Sequence, residues 1–434
     1  MDDSAYHTLV SRFDEGDRSV TEGLKAEAQQ RNDRRVLAAI DLRSGPSPRE
    51  ARTAGDRLAL GRAIAGRAGL WRTWTPLIEE VSRWPDDPAS RAAVASLAHA
   101  LDDLDLDDLR EAPAAWWNAA QAGQAPVGWP LVRRLIFRER QDPEPLMPCE
   151  VEDSLAHLTL IDADEHNLPP TRLADARHLR SLAYEFASTA ARPADPVDAF
   201  TVLAGTLQQL SLSIPHAATD LSPLRALTAL TALHLHFRFA DFGGRDPLAA
   251  LAGMPLTSLR VDARAPLPSL AVLDQLPALR LLHVDRAPAD TSPLARLASL
   301  DELLLGRADS LLGLPASLRS LHLIECDGLR SSDQLAPLTG LAILRLTDCR
   351  AVTALHLAGL AELRELAISG APPDASAGAS RLELIDLGAA PRFEELRLDA
   401  LPALRELRFA AGRPASLGRV SIEGCPSLVM HAGL

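Results

Sequence analysis

At 434 residues the chain is too long for one ordinary globular core, so it must hold two or more domains or a solenoid. Its residues are 47% hydrophobic but only 4% aromatic, which leaves leucine and alanine to fill the interior. A formal net charge of −13 excludes generic binding to nucleic acid or anionic membranes, both of which need a basic surface.

Residues 1–125 read as an all-α N-terminal domain. The opening MDDSAYHTLVSRFDEGDR lacks the apolar stretch of a secretory signal. No apolar run in the chain approaches the ~20 residues that span a bilayer. A cytoplasmic location is expected, with export by a leaderless route as the alternative. SVTEGLKAEAQQRNDRRVLAAIDL begins with a capping box, Ser19 and Glu22, and SPREARTAGDRLALGRAIAG with a second, Ser47 and Glu50. In DPASRAAVASLAHALDDL, Asp87 caps a helix that starts at Pro88 and carries Val94, Leu97 and Leu101 at helical spacing. Further helices are expected over Leu70–Trp84 and Leu106–Ala122. All six tryptophans fall between Trp71 and Trp129, marking a compact, non-repetitive core. Its simplest role is to cap the apolar first face of the repeats that begin near residue 126.

From 126 to the end the apolar residues recur as triplets at i, i+3, i+5. They are clearest at Leu318/Leu321/Leu323, Leu341/Leu344/Leu346 and Leu363/Leu366/Ile368, whose starts are 23 and 22 residues apart. Each triplet is a short strand with alternate residues turned inward, and only stacking on the next copy buries its leucines. Earlier copies run from Val132/Leu135/Phe137 through Leu207/Leu210/Leu212, Leu230/Leu233/Leu235, Leu256/Leu259/Val261, Leu279/Leu282/Val284 and Leu300/Leu303/Leu305. From Leu382 the starts close up to Phe393, Leu404 and Leu417, so two half-units there should share one coil with strand on both sides.

This pattern is identified as a leucine-rich repeat. TDLSPLRALTAL, DTSPLARLASL and SSDQLAPLTGL, which separate the triplets, resemble the repeats of internalin-like proteins, where a DLSPLANLTNL phrase precedes each strand. The resemblance implies an α/β solenoid with a parallel sheet on its concave face and short turns on the convex side. Cys326, Cys349 and Cys425 each stand three residues after a triplet, where the repeat places an inward Asn or Cys, so they are expected to be a structural ladder. Cys149 has no such place and is expected to be a small core residue. There is no C-x-x-C, and neither a disulfide framework nor a zinc site is indicated.

The position between the last two apolar residues of each triplet should project from the sheet. Read as a column it gives Ser211, His234, Arg260, His283, Leu304, His322, Arg345 and Ala367, and the neighbouring column adds His236, Asp262 and Asp285. These residues are the candidate partner-binding surface, a cationic stripe on an acidic protein suited to a partner with acidic and aromatic groups. Affinity for such a partner should rise below about pH 6 as the histidines charge. His234, His236, Asp262, His283 and Asp285 are also metal-binding types, but a flat sheet splays ligands apart, and no metal site is expected.

No phosphate-binding loop, nucleophile elbow, HExxH or dinucleotide-binding glycine phrase occurs, so neither an enzyme nor a cofactor is expected. Lys25 is the only lysine among 45 basic residues, a bias that fits a GC-rich bacterial genome, with avoidance of ubiquitin acceptors by a protein delivered into a eukaryotic host as the alternative. The sequence therefore points to a non-enzymatic protein-interaction module whose concave face binds a protein, with self-association through the C-terminal edge as a further expectation. The alternative is an exported bacterial effector acting as a ubiquitination adaptor. For that reading DLDLDDLREAPAAWWNAA resembles the second half of an F-box, without its leading Leu-Pro signature.

Overall fold

The computed structural model describes residues 3–14, 17–40 apart from 34, 35 and 38, 74–102, single positions between 110 and 119, 126–138, 157–163, 179–186, 196–370, 380–410 and 412–429 apart from 413. Cys149, the Ser47–Glu50 box and most of Leu106–Ala122 lie outside them. The chain forms two compact units, Met1–Ala183 and Tyr184–Leu434.

The first unit holds helices α1 (Asp3–Asp14), α2 (Thr21–Arg31), α3 (Trp74–Val81) and α4 (Pro88–Asp102). Asp87 caps α4, its carboxylate accepting the Ser90 N–H at 2.7 Å, and Val94, Leu97 and Leu101 are buried. The Ser19–Glu22 box does not form. Asp17 takes the Ser19 N–H at 2.9 Å and its hydroxyl at 2.6 Å, so a short 3-10 turn precedes α2 and Val20 holds the cap position. Nor does this helix run on to Leu42. Asn32 turns left-handed (φ 52°), its N–H returns to the Ala28 and Gln29 carbonyls, and Asp33 accepts the Val36 N–H to begin the next turn. Trp84, Trp116 and Trp129 are buried. The Trp116 indole donates to Ser82 Oγ at 2.9 Å, and the ring lies so close to Gly128 that a Cβ there would sit 2.1 Å from it. Strands β1 (Arg134–Arg138) and β2 (His157–Ala163) pair in parallel, Leu135 opposite Leu158. Strand β3 (Ser181–Phe186) spans the division.

In the second unit the long parallel sheet runs through β4 (Gln209–Ile214), β5 (Ala232–Phe237), β6 (Ser258–Ala263), β7 (Leu281–Val284), β8 (Glu302–Gly306), β9 (Ser320–Ile324), β10 (Ile343–Thr347), β12 (Glu365–Ser369), β14 (Glu395–Asp399) and β16 (Arg419–Glu423). Every pair holds the register the triplets require: Leu233 opposite Leu259, Leu303 opposite Leu321, Leu344 opposite Leu366. These leucines are at most 2% exposed. Between strands the chain makes 3-10 turns such as Ser222–Ala226 and Ser292–Arg296. The aspartate of the Asp-x-Ser-Pro-Leu phrase starts them: Asp220 accepts the Ser222 N–H at 2.9 Å, and Asp290 does the same for Ser292.

A second parallel sheet, β11 (Ala354–His356), β13 (Leu384–Asp386) and β15 (Glu406–Arg408), alternates with the later strands of the first. It begins one coil earlier than the shortened spacing suggests. Val352, Leu355 and Leu357 already form a half-unit and are buried.

Candidate functional site

Because one face of each strand of the long sheet is turned to the leucine interior, the residues between face solvent, and the register sets them in rows. His234 stands opposite Ser211 and Arg260, and Arg260 opposite His283. His283 is opposite Leu304, Leu304 opposite His322, and His322 opposite Arg345. The row continues through Ala367, Arg397 and Ser421. In the next row His236 is opposite Asp262.

The charges on these rows are spent on one another. Asp262 is the hub, only 21% exposed: His234 Nε2 is 2.7 Å from it, Arg260 Nε donates to it at 3.1 Å, and His283 Nε2 lies 3.8 Å away. The other ring nitrogen of His234, Nδ1, is 3.2 Å from Ser211 Oγ. Burial alone would push the Asp262 carboxyl up, but the hydrogen bonds from His234 and Arg260 outweigh it and hold the group down at about 2. Arg345 donates to Glu365 at 3.0 Å, and Arg397 pairs with Glu395 on the same strand. The stripe read from the sequence as cationic is therefore largely neutralised by carboxylates from its own sheet.

Two of the histidines, His283 and His322, are reluctant to charge. Burial, then the nearby Arg260, lowers the pKa of His283, while burial, then Arg345 and His283, lowers that of His322, whose Nε2 sits 3.2 Å from Thr347 Oγ1. The gain in affinity expected below about pH 6 moves to lower pH for these two. His236 is exposed, and Asp285 is turned to its own backbone, accepting the Ala263 N–H at 2.7 Å. Burial pushes the Asp285 carboxyl up. Among the described residues no group of three or more His, Cys, Asp or Glu is placed to hold a metal.

Beside these rows a groove of about 580 Å³ opens, lined by His236, Arg264, His283, Asp285, Arg286, Leu304, Gly306, Arg307, Ile324 and Glu325. Arg264, Arg286 and Arg307 carry no signal in the sequence because they follow the strands, in turns that the triplet pattern does not describe. Arg307, Glu325 and Asp348 are left-handed at successive turns (φ 52°, 53° and 54°). Each such N–H donates to the next coil: Arg307 to Ile324, Glu325 to Thr347 and Asp348 to Ser369, at 2.7 to 2.8 Å.

One residue further on, the cysteines turn inward. Cys326 Sγ–H donates to the Leu305 carbonyl at 3.2 Å and Cys349 Sγ–H to Leu323 at 3.7 Å, in each case reaching the preceding coil. Both are buried. A hydrogen bond with Cys326, together with burial, pushes the Cys349 thiol up. Cys425 is less enclosed and bonds the Glu423 carbonyl at 3.2 Å. Strand, left-handed turn, inward thiol and 3-10 return thus repeat at the register of the triplets. The fold is a leucine-rich repeat solenoid.

Comparison with solved structures finds matches at low identity. An internalin (InlF) from Listeria monocytogenes is 14% identical, with 68% of this chain and 82% of that chain covered and a TM-score of 0.33. A leucine-rich repeat protein of Leptospira interrogans is 15% identical, with 74% and 90% covered and a TM-score of 0.40. A chain of the Drosophila Toll–Spätzle complex is 18% identical, with 65% and 40% covered and a TM-score of 0.41. No protein-family model matches the sequence. No curated protein matches it. No helix among the described residues is long and apolar enough to cross a membrane.

Proposed function

We propose that this solenoid is a non-enzymatic protein-interaction module and that its partner binds the solvent face of the long sheet. The observation that carries the reading is the mutual fixing of side chains on that face. Asp262 holds His234 and Arg260, and Glu365 holds Arg345. Side chains ordered before binding lose less entropy when a partner arrives, so a preorganised polar surface beside a groove favours specific association. No nucleophile with a base and an oxyanion site is seen among the described residues. Ser211 and His234 are hydrogen-bonded, but they lie on an open sheet whose backbone N–H groups serve the strand ladder.

The test is affinity capture from lysate of the source organism, wild type beside Arg260→Glu/Arg345→Glu. The double variant is expected to lose the captured partner. Because the reversals also break the ion pairs with Asp262 and Glu365, its melting temperature should fall, and circular dichroism at the capture temperature checks that it is still folded. Capture at full strength by the double variant would remove the solvent face from the interaction.

A further inference from the structure

We propose that the groove beside Gly306 receives an extended acidic segment of a protein partner, one whose carboxylates flank an aliphatic or aromatic side chain. This rests on the solvent face of the long sheet being the binding surface and says what occupies it. Four observations on the groove converge.

Its depth is written in the backbone. Gly306 occupies the row position held by Ile324 on the next strand, and a Cβ on Gly306 would sit 2.1 Å from the Asp285 carbonyl oxygen. The dip therefore cannot be filled from within.

Its floor is apolar. Leu304 interrupts the run His234, Arg260, His283, His322, Arg345 within its row, and Ile324 lies on the adjoining strand in the next row; both are partly exposed. They offer a place for one apolar side chain, at about 25 cal/mol for each Å² removed from water.

Its rim holds two arginines that stand in no salt bridge among the described residues. Other arginines on this face are answered by the protein's own carboxylates, Arg260 by Asp262, Arg345 by Glu365 and, on the rim of the groove itself, Arg307 by Glu325. Arg264 and Arg286 line the groove and, among the described residues, form no ion pair. Asp285, a carboxylate on the same rim, is half-buried and holds the Ala263 N–H; Arg286 acts on it through space without forming an ion pair. On a chain of net charge −13, two such guanidinium groups make a local exception to an otherwise repellent field.

Finally, the backbone there is closed to strand addition. Strands β7, β8 and β9 are interior, each hydrogen-bonded on both sides, so the occupant must be read by side chains. Bidentate contacts from Arg264 and Arg286 to carboxylates, with an apolar residue seated over Gly306, satisfy that condition. No Phe, Tyr or Trp lines the groove to stack a nucleobase, which disfavours single-stranded nucleic acid.

The experiment uses the full chain and a short fluorescent peptide alternating glutamate with leucine, followed by anisotropy. The same peptide with glutamine for glutamate, and with serine for leucine, is measured beside it. The expected result is binding that weakens about tenfold or more on either peptide change and on Arg264→Glu/Arg286→Glu, and that falls steeply toward 1 M salt. A reversal of equal charge away from the groove, Arg381→Glu/Arg405→Glu, should leave it within about twofold, well under the tenfold step. Equal binding of the glutamine peptide, equal loss in the two double reversals, absence of binding by the glutamate–leucine peptide, or tighter binding of a single-stranded RNA oligomer each overturns the proposal. If Arg260→Glu/Arg345→Glu removes captured partner from lysate while Arg264→Glu/Arg286→Glu leaves it in place, the solvent face stands and only the groove assignment falls.

Discussion

In the helical unit each large side chain has a place of its own, whereas in the repeats one leucine layer stands in for the next. Trp116 packs onto Gly128 and hydrogen-bonds Ser82, and no other residue could take both contacts. Leu303 lies between Leu282 and Leu321, in the same row and chemistry as its neighbours. The first arrangement concentrates stability in a few irreplaceable contacts; the second spreads it along nearest-neighbour interfaces. The two differ in how far a single defect travels.

The largest effects test that contrast directly. Trp116→Ala should cost about 3–5 kcal/mol, and Leu303→Ala about 2–5 kcal/mol. Because all six tryptophans lie between Trp71 and Trp129, within the first unit, indole fluorescence follows that unit alone while far-ultraviolet circular dichroism follows both. In denaturant, Trp116→Ala is expected to move the fluorescence transition and Leu303→Ala mainly the dichroic one. If both variants moved both transitions equally, the contrast would be lost.

Acid sharpens it next. The carboxyl of Asp262 sits at about 2, below its ordinary 3.8, so its contribution is complete above about pH 4 and lost as pH falls toward 2. That contribution is at most about 2 kcal/mol. His283 and His322 resist protonation when folded, so the unfolded chain takes up protons first, and stability also declines as pH drops from their ordinary 6.5. The repeat unit should thus lose stability in two stages. His283→Gln/His322→Gln should remove the earlier stage and Asp262→Asn the later one, read from denaturant midpoints across pH. An unchanged acid profile in Asp262→Asn would show that the hub does not form in solution.

The smallest effect should be a gain. Ala400 holds a left-handed turn at φ 51°, where the corresponding position one coil on is Gly424. Ala400→Gly relieves that strain at some cost in unfolded-state entropy, and a net gain of about 0.5 kcal/mol is expected from thermal melts. A loss would mean that packing of the Ala400 methyl outweighs the strain.

The solenoid was legible because its rule is purely periodic: Leu318, Leu321 and Leu323 fix a face, and their copies fix the register. The same rule placed His234 and Arg260 in one row. What it could not show is how those side chains meet. Asp262 reaches back diagonally to His234 as well as along its own strand to Arg260, and that depends on rotamers. The start of the second sheet at Val352, Leu355 and Leu357 is hard to read although the triplet is present there, because its half-length spacing falls between two full-length ones. The Ser19–Glu22 box fails through competition, since Asp17, two residues upstream, takes the serine first. The left-handed turns at Arg307, Glu325 and Asp348 carry no glycine to announce them, and the groove was hidden with them.

The in-register coil also decides how such a chain can change by inheritance. Residues 319–341 amount to 23 positions, the distance between the starts of two successive triplets. Their deletion would join Leu318 to Ala342 and bring Leu344 and Leu346 into phase as though nothing were missing. The shortened protein would carry Arg345 beside Leu304 and set Cys349 under the Leu305 carbonyl. A one-residue deletion inside a strand would instead turn every later side chain of that strand to the wrong face. Recombination in whole coils can therefore reshuffle the surface rows without disturbing the leucine interior, and new combinations of rim and floor can arise in a single step.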